Sequence, residues 1–427
     1  MQLINIGFAL LHSDTRLAGS LGQVLSALAF QGSVARHELA DAAGLTRATV
    51  TKAVQELIDA GIVAEVERGQ SSPRGGPRPI LLKIRKDLFH LVGLDIRREK
   101  VTGCRVDLAG TVKDSFAIRL DTTATPDRMV QILFEIVDRL AAAQPEIPLG
   151  AIGVGSIGPV DVAAGRTHPQ NFPVLDDLPV CDLLSKRYGI PATIRIGAMA
   201  AAYGEERKYL GQKYAPKSIA FVVIDFRGIG LGLISGGSGW LTDHGGVGEV
   251  GHVTVDLNGR ACECGRRGCL VQYASGLAAL KTREKDGKGR GHDETMLSQL
   301  ALDAESGDEN AQQSLLEAGR YLGSAIVDID RLLRPSRIVV GSSHDHMAEW
   351  YMRGIQTYVE AVREASEFTA LSERLSLASK GSLAIAYGAA ALQLKNFMIA
   401  PSTILDIVTK RRSEAKLRTG ALRTAAN

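Results

Sequence analysis

The sequence predicts an α/β protein of two similar lobes behind a small, mainly helical head. Three observations predict it. From His90 onward, strand-like runs precede an amphipathic helix: HLVGLDI, TGCRVDLAGTV and SFAIRL, then Pro126 to Ala143, then LGAIGVGSIGPVD. Two paired strands, a third, a helix and a fourth strand form the order of a ribonuclease-H-like lobe. A second such set starts at SIAFVVIDFRGIGLGLISGGSGW, so the fold is read as duplicated. The first 86 residues lack this texture and carry helical spacing instead. The expected boundaries are 1–86 for the head, 87–197 plus 381–400 for the small lobe, 198–380 for the large lobe, and 401–427 for a flexible basic tail.

With 427 residues, 45% hydrophobic and 23% charged, the chain has enough apolar surface for two or three domains. A net charge of +3 does not by itself establish a nucleic-acid partner, so the distribution of charge must decide. Five cysteines, three clustered and two (Cys104, Cys181) isolated, are not a secreted disulfide framework. The opening MQLINIGFALLHSD lacks the basic start and cleavage site of a signal peptide, and no run reaches the roughly 18 apolar residues of a membrane helix. A soluble, cytoplasmic protein with no membrane partner is expected.

In the head, Leu21, Val24, Leu25 and Leu28 recur at helical spacing, Gly32-Ser33 breaks the pattern, and a short helix is expected from Arg36 to Ala43. Gly44 ends it. Thr46 then reads as the N-cap of RATVTKAVQELIDAG, whose apolar stripe is Val50, Ala53, Val54 and Leu57. Helix, tight glycine turn and capped helix is the spacing of a helix-turn-helix, whose second helix enters the major groove of DNA. Thr46, Arg47, Thr49 and Lys52 lie off the apolar stripe near the start of that helix and suit base edges and phosphates. A solvated helix face is the alternative. The next stretch favours DNA, because IVAEVERGQSSPRGGPRPILLKI sets two short apolar runs around a Gly/Pro/Ser/Arg tip, as in a β-hairpin wing. From Arg68 to Lys86 six residues are basic, Arg68, Arg74 and Arg78 among them, and none is acidic. Such a patch meets phosphate, with protein docking on the wing as the other reading.

Two-lobed folds of this kind bind nucleotide between Gly-rich turns, because only glycine lets backbone N–H groups approach phosphate closely. The candidates are Asp95-Ile96-Arg97-Arg98 and Arg227 to Gly232, with a plain tight turn as the alternative for each. The densest chemistry lies in GHVTVDLNGRACECGRRGCLVQYAS, Gly251 to Ser275. Cys262, Cys264 and Cys269, with His252 ten residues before the first of them, offer four soft ligands, and two glycines let the loop fold back. That donor set suits a closed tetrahedral Zn2+ site, structural rather than catalytic; buried free thiols are the alternative. His244, His344 and His346 are read as lone surface histidines, with a ligand role as the alternative, and PSRIVVGSSHDH as a buried strand ending in a glycine turn at Gly341.

At these residues the chain resembles the ROK family of repressors, open reading frames and sugar kinases, whose signature joins a Gly-Glu-x-Gly-His segment to a CxCGxxGC zinc loop. Here those are Gly248-Glu249-Val250-Gly251-His252 and Cys262 to Cys269. The resemblance covers nearly the whole chain. The head resembles that of the transcriptional-regulator branch, Gly158 to Asp161 and Asn171 to Pro173 fall at sugar-lobe motifs, and Tyr387 to Leu392 resembles the closing helix. It implies the actin/hexokinase-type ATPase version of the two-lobed fold, and a sugar pocket in which Asn171, Glu249 and His252 are retained.

Other family positions have changed. In the kinases a Glu-Asn-Asp-Ala-Asn segment carries the aspartate that deprotonates the sugar hydroxyl, and its first asparagine helps hold the sugar. The matching stretch, RIGAMAAAYGE, puts Arg195, Ile196, Gly197 and Met199 at the glutamate, first asparagine, aspartate and second asparagine. No general base remains there, and losing one costs about 10²- to 10⁴-fold in rate. The Asp-x-Gly-Gly-Thr phosphate turn reads Asp95-Ile96-Arg97-Arg98-Glu99, where the Arg97 and Arg98 side chains are expected to block close approach and Glu99 to repel phosphate, and Arg227 replaces a threonine in the second turn. Val271 replaces a sugar-binding glutamate, with Gln272 expected to point elsewhere.

The expectation is therefore a homodimeric regulator without catalytic residues, read as a repressor of carbohydrate or polyol metabolism. It binds a double-stranded DNA operator through the head and a sugar- or polyol-like effector between the lobes. That effector is expected to be smaller or less polar than a hexose, or an anionic derivative drawn by Arg195. A sugar kinase with a DNA-binding head, and a regulator governed by a protein partner, are the rival readings. The basic run from Lys410 to Asn427 is read as solvated chain, with DNA contact as the alternative.

Overall fold

The computed structural model describes residues 19–68, 79–121, 124–168, 172–209, 215–240, 248–284, 293–344, 346–362 and 369–409. In the head, helices Gly19–Gln31, Arg36–Ala43 and Arg47–Asp59 stand where the periodicity puts them. Gly44 ends the second in a left-handed conformation, φ 64°, which side chains disfavour. Thr46 starts the third by accepting the Thr49 N–H at 3.2 Å, and Val50, Ala53, Val54 and Leu57 are all buried. The wing strands β1 (Ser33–Ala35), β2 (Val63–Arg68) and β3 (Ile80–Ile84) form a sheet in the order β1-β3-β2. Arg68 closes β2, whereas Arg74 and Arg78 lie outside the described residues.

Behind the head come β4 (His90–Ile96), β5 (Lys100–Val106), β6 (Val112–Arg119), β7 (Leu149–Ser156), the small hairpin β8 (Val160–Asp161) and β9 (Arg166–Thr167), and β10 (Ala192–Ile196). The second set is β11 (Ser218–Ile224), β12 (Ile229–Ser235), β13 (Ser238–Gly239), β14 (Arg337–Ser342) and β15 (Leu375–Leu377). The two large sheets run β6-β5-β4-β7-β10 and β13-β12-β11-β14-β15. In both, the first strand is central, antiparallel to the second and parallel to the fourth. This is the duplication read from the sequence.

β4 and β7 are buried along their whole length and, apart from His90, Asp95 and Ser156, apolar, as expected of strands covered on both faces. Helix Pro126–Ala142 presents Met129, Ile132, Leu133, Ile136, Val137 and Leu140 to one side, and the closing helix Ala384–Ile399 packs on β4 and β7 from the other. The closing helix also lies against helix Gly197–Glu206, so closely that a Cβ at Gly388 would sit 1.9 Å from the Ala200 carbonyl oxygen. One apolar cluster joins the head (Leu28, Val54, Leu82) to the first lobe (Leu91, Ala151) and the closing helix (Leu394, Phe397).

Residues 401–409, expected to open a flexible tail, instead form a helix whose Ile404 and Val408 are buried in that same cluster. Apolar spacing at Ile404, Leu405 and Val408 outweighs the basic character that begins at Lys410, and residues 410–427 lie outside the described residues. Gly341 is also corrected: it lies within β14, paired with Val223, where a Cβ would meet the Phe221 ring at 2.6 Å. Among the described residues no single helix is long and apolar enough to cross a membrane.

Candidate functional site

Ligands of open α/β sheets lie at the carboxyl ends of the strands, and here those ends converge on one cleft between the two sheets. Asp95 and Arg97 follow from β4, Ile157 and Gly158 from β7, Ile196 from β10, Asp225 from β11 and Ser343 from β14. The cleft encloses about 260 Å³, and Gly158, Ile196, Glu249, His252, Val271 and Gln272 line one part of it. Glu249 and His252 line this cleft, while Asn171 lies outside the described residues.

Ile196 and Val271 bring apolar surface to the cleft wall. Gly197 opens helix Gly197–Glu206, and a Cβ there would lie 2.9 Å from Ile385 Cδ1. The end of the Ile385 side chain would therefore have to shift to admit a side chain at 197. Two expectations fail here. Arg195 does not line the cleft: its guanidinium is buried, 8% exposed, and donates to the Ile194 carbonyl at 2.8 Å, and burial pushes its pKa down. It follows the face of β10 turned to Tyr203, so it cannot draw an anionic effector. Gln272 does line the cleft, because the single turn Val271–Ala274 lays Val271 against Cys262 and Cys269.

The phosphate turns hold an unexpected structure. Arg97 does not project as an obstacle but turns inward, 2% exposed, 2.7 Å from Asp95 and 2.9 Å from Asp225. One guanidinium thereby ties together the two turns that a nucleotide would bridge. Burial alone would raise the Asp225 carboxyl, but Arg97, the Ser343 hydroxyl (2.8 Å) and the Phe226 N–H hold it down at about 2. Asp95 is pushed up, chiefly by burial, so Asp225 is the firmer anion of the pair.

Further links cross the cleft beside this one. Lys100 pairs with Glu294 at 2.8 Å and Arg227 approaches Glu99 at 3.8 Å. Burial and the nearby Asp225 and Glu294 push Glu99 up to about 7, against the pull of Arg227. His344 is not a surface histidine: it is 5% exposed, its Nε2 2.9 Å from Glu294 and its Nδ1 2.8 Å from the Ser343 hydroxyl. His346 is half exposed and pairs with Glu305 at 2.8 Å, and His244 lies outside the described residues.

The four ligand atoms of His252, Cys262, Cys264 and Cys269 lie within 4.8 Å of one another. Cys262 Sγ is 3.6 Å from His252 Nδ1 and Cys264 Sγ is 3.6 Å from Cys269 Sγ. Such separations are too long for a disulfide and match the edges, about 3.7 Å, of a tetrahedron with metal–sulfur bonds of about 2.3 Å. The loop closes because Gly265 and Gly268 take φ of 85° and 71°; at Gly268 a Cβ would also lie 1.5 Å from the Asp256 carbonyl oxygen. The Arg266 backbone N–H pulls the exposed Cys264 thiol down to about 6, whereas burial pushes Cys269 up to about 12. The donor set and its spacing fit a metal ion, which would take both as thiolates.

On the head, Arg47 and Lys52 are exposed at the start of the second helix-turn-helix helix. Thr46 and Thr49 are partly committed to the cap, their hydroxyls 2.8 Å apart. A groove of about 360 Å³ separates this helix from the wing, lined by Arg36, His37, Arg47, Thr51, Glu65 and Ile80. Arg36 and His37 were not singled out in the sequence, although an arginine followed by a histidine at a helix start was the available signal. Arg36 pairs with Glu65 at 2.8 Å.

A family model described as the ROK family matches residues 91–396. The xylose repressor of Bacillus subtilis (strain 168) is 31% identical over 314 residues, 73% of this chain and 78% of that protein. A solved ROK family transcriptional regulator, a homologue of the E. coli MLC protein, superposes with a TM-score of 0.71 at 20% identity, covering 91% of this chain and all of its own. A ROK family glucokinase from Streptomyces griseus, solved with glucose and AMPPNP, superposes with a TM-score of 0.60 at 26% identity, over 71% of this chain and 98% of its own. The two-lobed architecture is thus shared with a regulator and with a sugar kinase of the hexokinase type. Signature segment, metal loop, duplicated sheets and family model agree, and the chain belongs to the ROK family.

Proposed function

We propose that this chain is a DNA-binding repressor of sugar or polyol genes whose two-lobed body senses a small effector and transfers no phosphoryl group. The observation that carries the reading is Arg97, whose guanidinium joins Asp95 to Asp225 across both phosphate turns. A nucleotide placed there meets carboxylates and a cation already spoken for. Gly197 offers no base at the sugar hydroxyl, and Ile385 occupies the neighbouring space. His252, Cys262, Cys264 and Cys269 hold a structural Zn2+, a role suited to a closed set of four protein ligands.

The repressor acts as a homodimer in the cytoplasm, because two recognition helices reach successive half-sites of about 34 Å spacing only as a pair. Effector binding between the lobes favours one degree of closure. The cluster joining head, first lobe and closing helix makes the head follow that lobe. Xylose is the first effector to test, given the relative named a xylose repressor.

The test combines two assays. An operator enriched from random-sequence DNA is expected to bind the protein and to be released by a neutral sugar, while ATP and a sugar panel yield no ADP above background. Gly197→Asp alone leaves that background unchanged, because Ile385 must also move. Sugar-dependent ADP release by the unaltered protein would establish the kinase reading instead. In the same operator assay Arg47→Ala is expected to weaken specific binding about 10- to 100-fold, the worth of one bidentate base contact, and random DNA much less. Equal losses on both DNAs would make Arg47 a phosphate contact only.

A further inference from the structure

Gln272 stands one residue beyond the position at which the resemblance places a sugar-binding glutamate. Val271, at that position, is 9% exposed and packed against Cys262 and Cys269, so it serves the metal loop. Gln272 is anchored on the same loop: its N–H donates to the Cys269 carbonyl at 2.9 Å and its carbonyl accepts from Arg260 Nη1 at 2.7 Å. Its main chain is therefore held, while its side-chain amide has no hydrogen-bond partner among the described residues. Gln272 is half-buried and, like Glu249 and His252, lines the cleft. An amide so placed offers two donors and an acceptor, the pattern that reads a hydroxyl group whichever way its proton points.

The charge on the cleft wall defines the ligand further. Arg98, Arg227 and Lys281 face four acidic residues there, Glu99, Asp225, Glu249 and Glu263, so the wall carries no excess of positive side chains. Arg98 lies over the Phe172 ring and Arg227 over the Phe226 ring with Glu99 beside it. Arg195, the cation that an anionic effector was to use, is buried elsewhere. About 260 Å³ lies just below the roughly 300–1,000 Å³ of clefts that take drug-sized ligands, which suits one small molecule.

Resting on the repressor reading above, we infer that the effector is a neutral, unphosphorylated polyol or monosaccharide and that Gln272 is the residue that selects it. The amide supplies a hydroxyl contact that Val271 no longer can. The site's discrimination then lies in one hydroxyl of the ligand, because a polar site rejects an analogue lacking its partner far more strongly than an apolar pocket does.

Calorimetry and operator release are measured with xylose, glucose, N-acetylglucosamine, glucose 6-phosphate and a deoxy analogue of whichever neutral sugar binds best. The unaltered protein is expected to prefer a neutral sugar to its phosphate. Gln272→Ala is expected to lose about 10-fold in affinity for that sugar, the worth of one hydrogen bond to a buried group, and to lose its preference over one deoxy form. Gln272→Glu, which still accepts from a hydroxyl, is expected to keep that preference, with metal content and effector-free operator binding unchanged in both variants. A purely structural role would lower every ligand alike and leave the preference intact. Tighter binding of the phosphate overturns the ligand class, and a Gln272→Ala protein with unaltered affinities overturns the residue, each leaving the repressor reading in place. Operator binding that no small molecule relieves in the unaltered protein overturns the effector reading itself.

Discussion

Stripping the metal with a chelator is expected to lower the melting temperature by on the order of 10 °C while leaving most of the helix and strand content in place. Loss of a bound metal is among the few single changes with large effects on stability, and a shift of about 2–4 °C accompanies each kcal/mol in domains of this size. Metal analysis before treatment should find one Zn2+ per chain. Cys264→Ser should reproduce the stripped state, because Cys264 is exposed and its change leaves the core packing alone, so a further drop on adding chelator to the variant would contradict the ligand assignment. The effect should extend beyond the loop. Cys262 and Cys269 pack on Val271, which begins the turn carrying Gln272, so sugar binding should weaken together with metal loss. An unchanged melting temperature in both experiments would return the three cysteines to the role of free thiols.

Arg97→Ala is the second large effect, expected to cost about 3–5 kcal/mol because it leaves two buried carboxylates without their cation. Urea denaturation of the variant and the parent gives the difference. The sign of its pH dependence follows from the groups involved. In the parent, Asp225 is held at about 2, so its stabilising contribution is present above the ordinary aspartate value and is lost as pH falls toward 2. Without Arg97, burial dominates and both aspartates take up protons at higher pH. The variant's deficit should therefore be greater at pH 8 than at pH 5. Replacing Asp95 and Asp225 by Asn together with Arg97→Ala should recover much of the loss, since no buried charge is then left unpaired. A deficit that does not vary with pH would mean that the aspartates are not ionised in the parent, and the bridge between the turns would carry no charge.

Much of this molecule was legible in one dimension wherever the chemistry is local. Gly44 and Thr46 act within a turn of their own helix, and the Val50, Ala53, Val54 and Leu57 stripe is a periodicity, so the head could be read residue by residue. The cluster of four candidate metal ligands was legible for the same reason: its three thiols and the His252 ring lie in a short segment whose glycines dictate the fold-back. The duplicated strand order was visible because each lobe repeats it in sequence. The tertiary structure decided what happens where separate segments meet. Arg97 read as an obstacle to phosphate until β4 and β11 were placed end to end, and only then did Asp225 appear as its partner. Arg195 read as a cation for the ligand until the pairing of β10 with β7 set its side chain among buried neighbours. Helical spacing turned Gln272 away from the cleft, yet Val271, packed on Cys262 and Cys269, and Gln272 both line it. Residues 401–409 gained helical order from the head and closing helix they pack against. Periodicity and capping record what a residue does to its own neighbours along the chain. The direction of a side chain at a strand end, and the charge that meets it there, depend on elements whose approach only the packed fold defines.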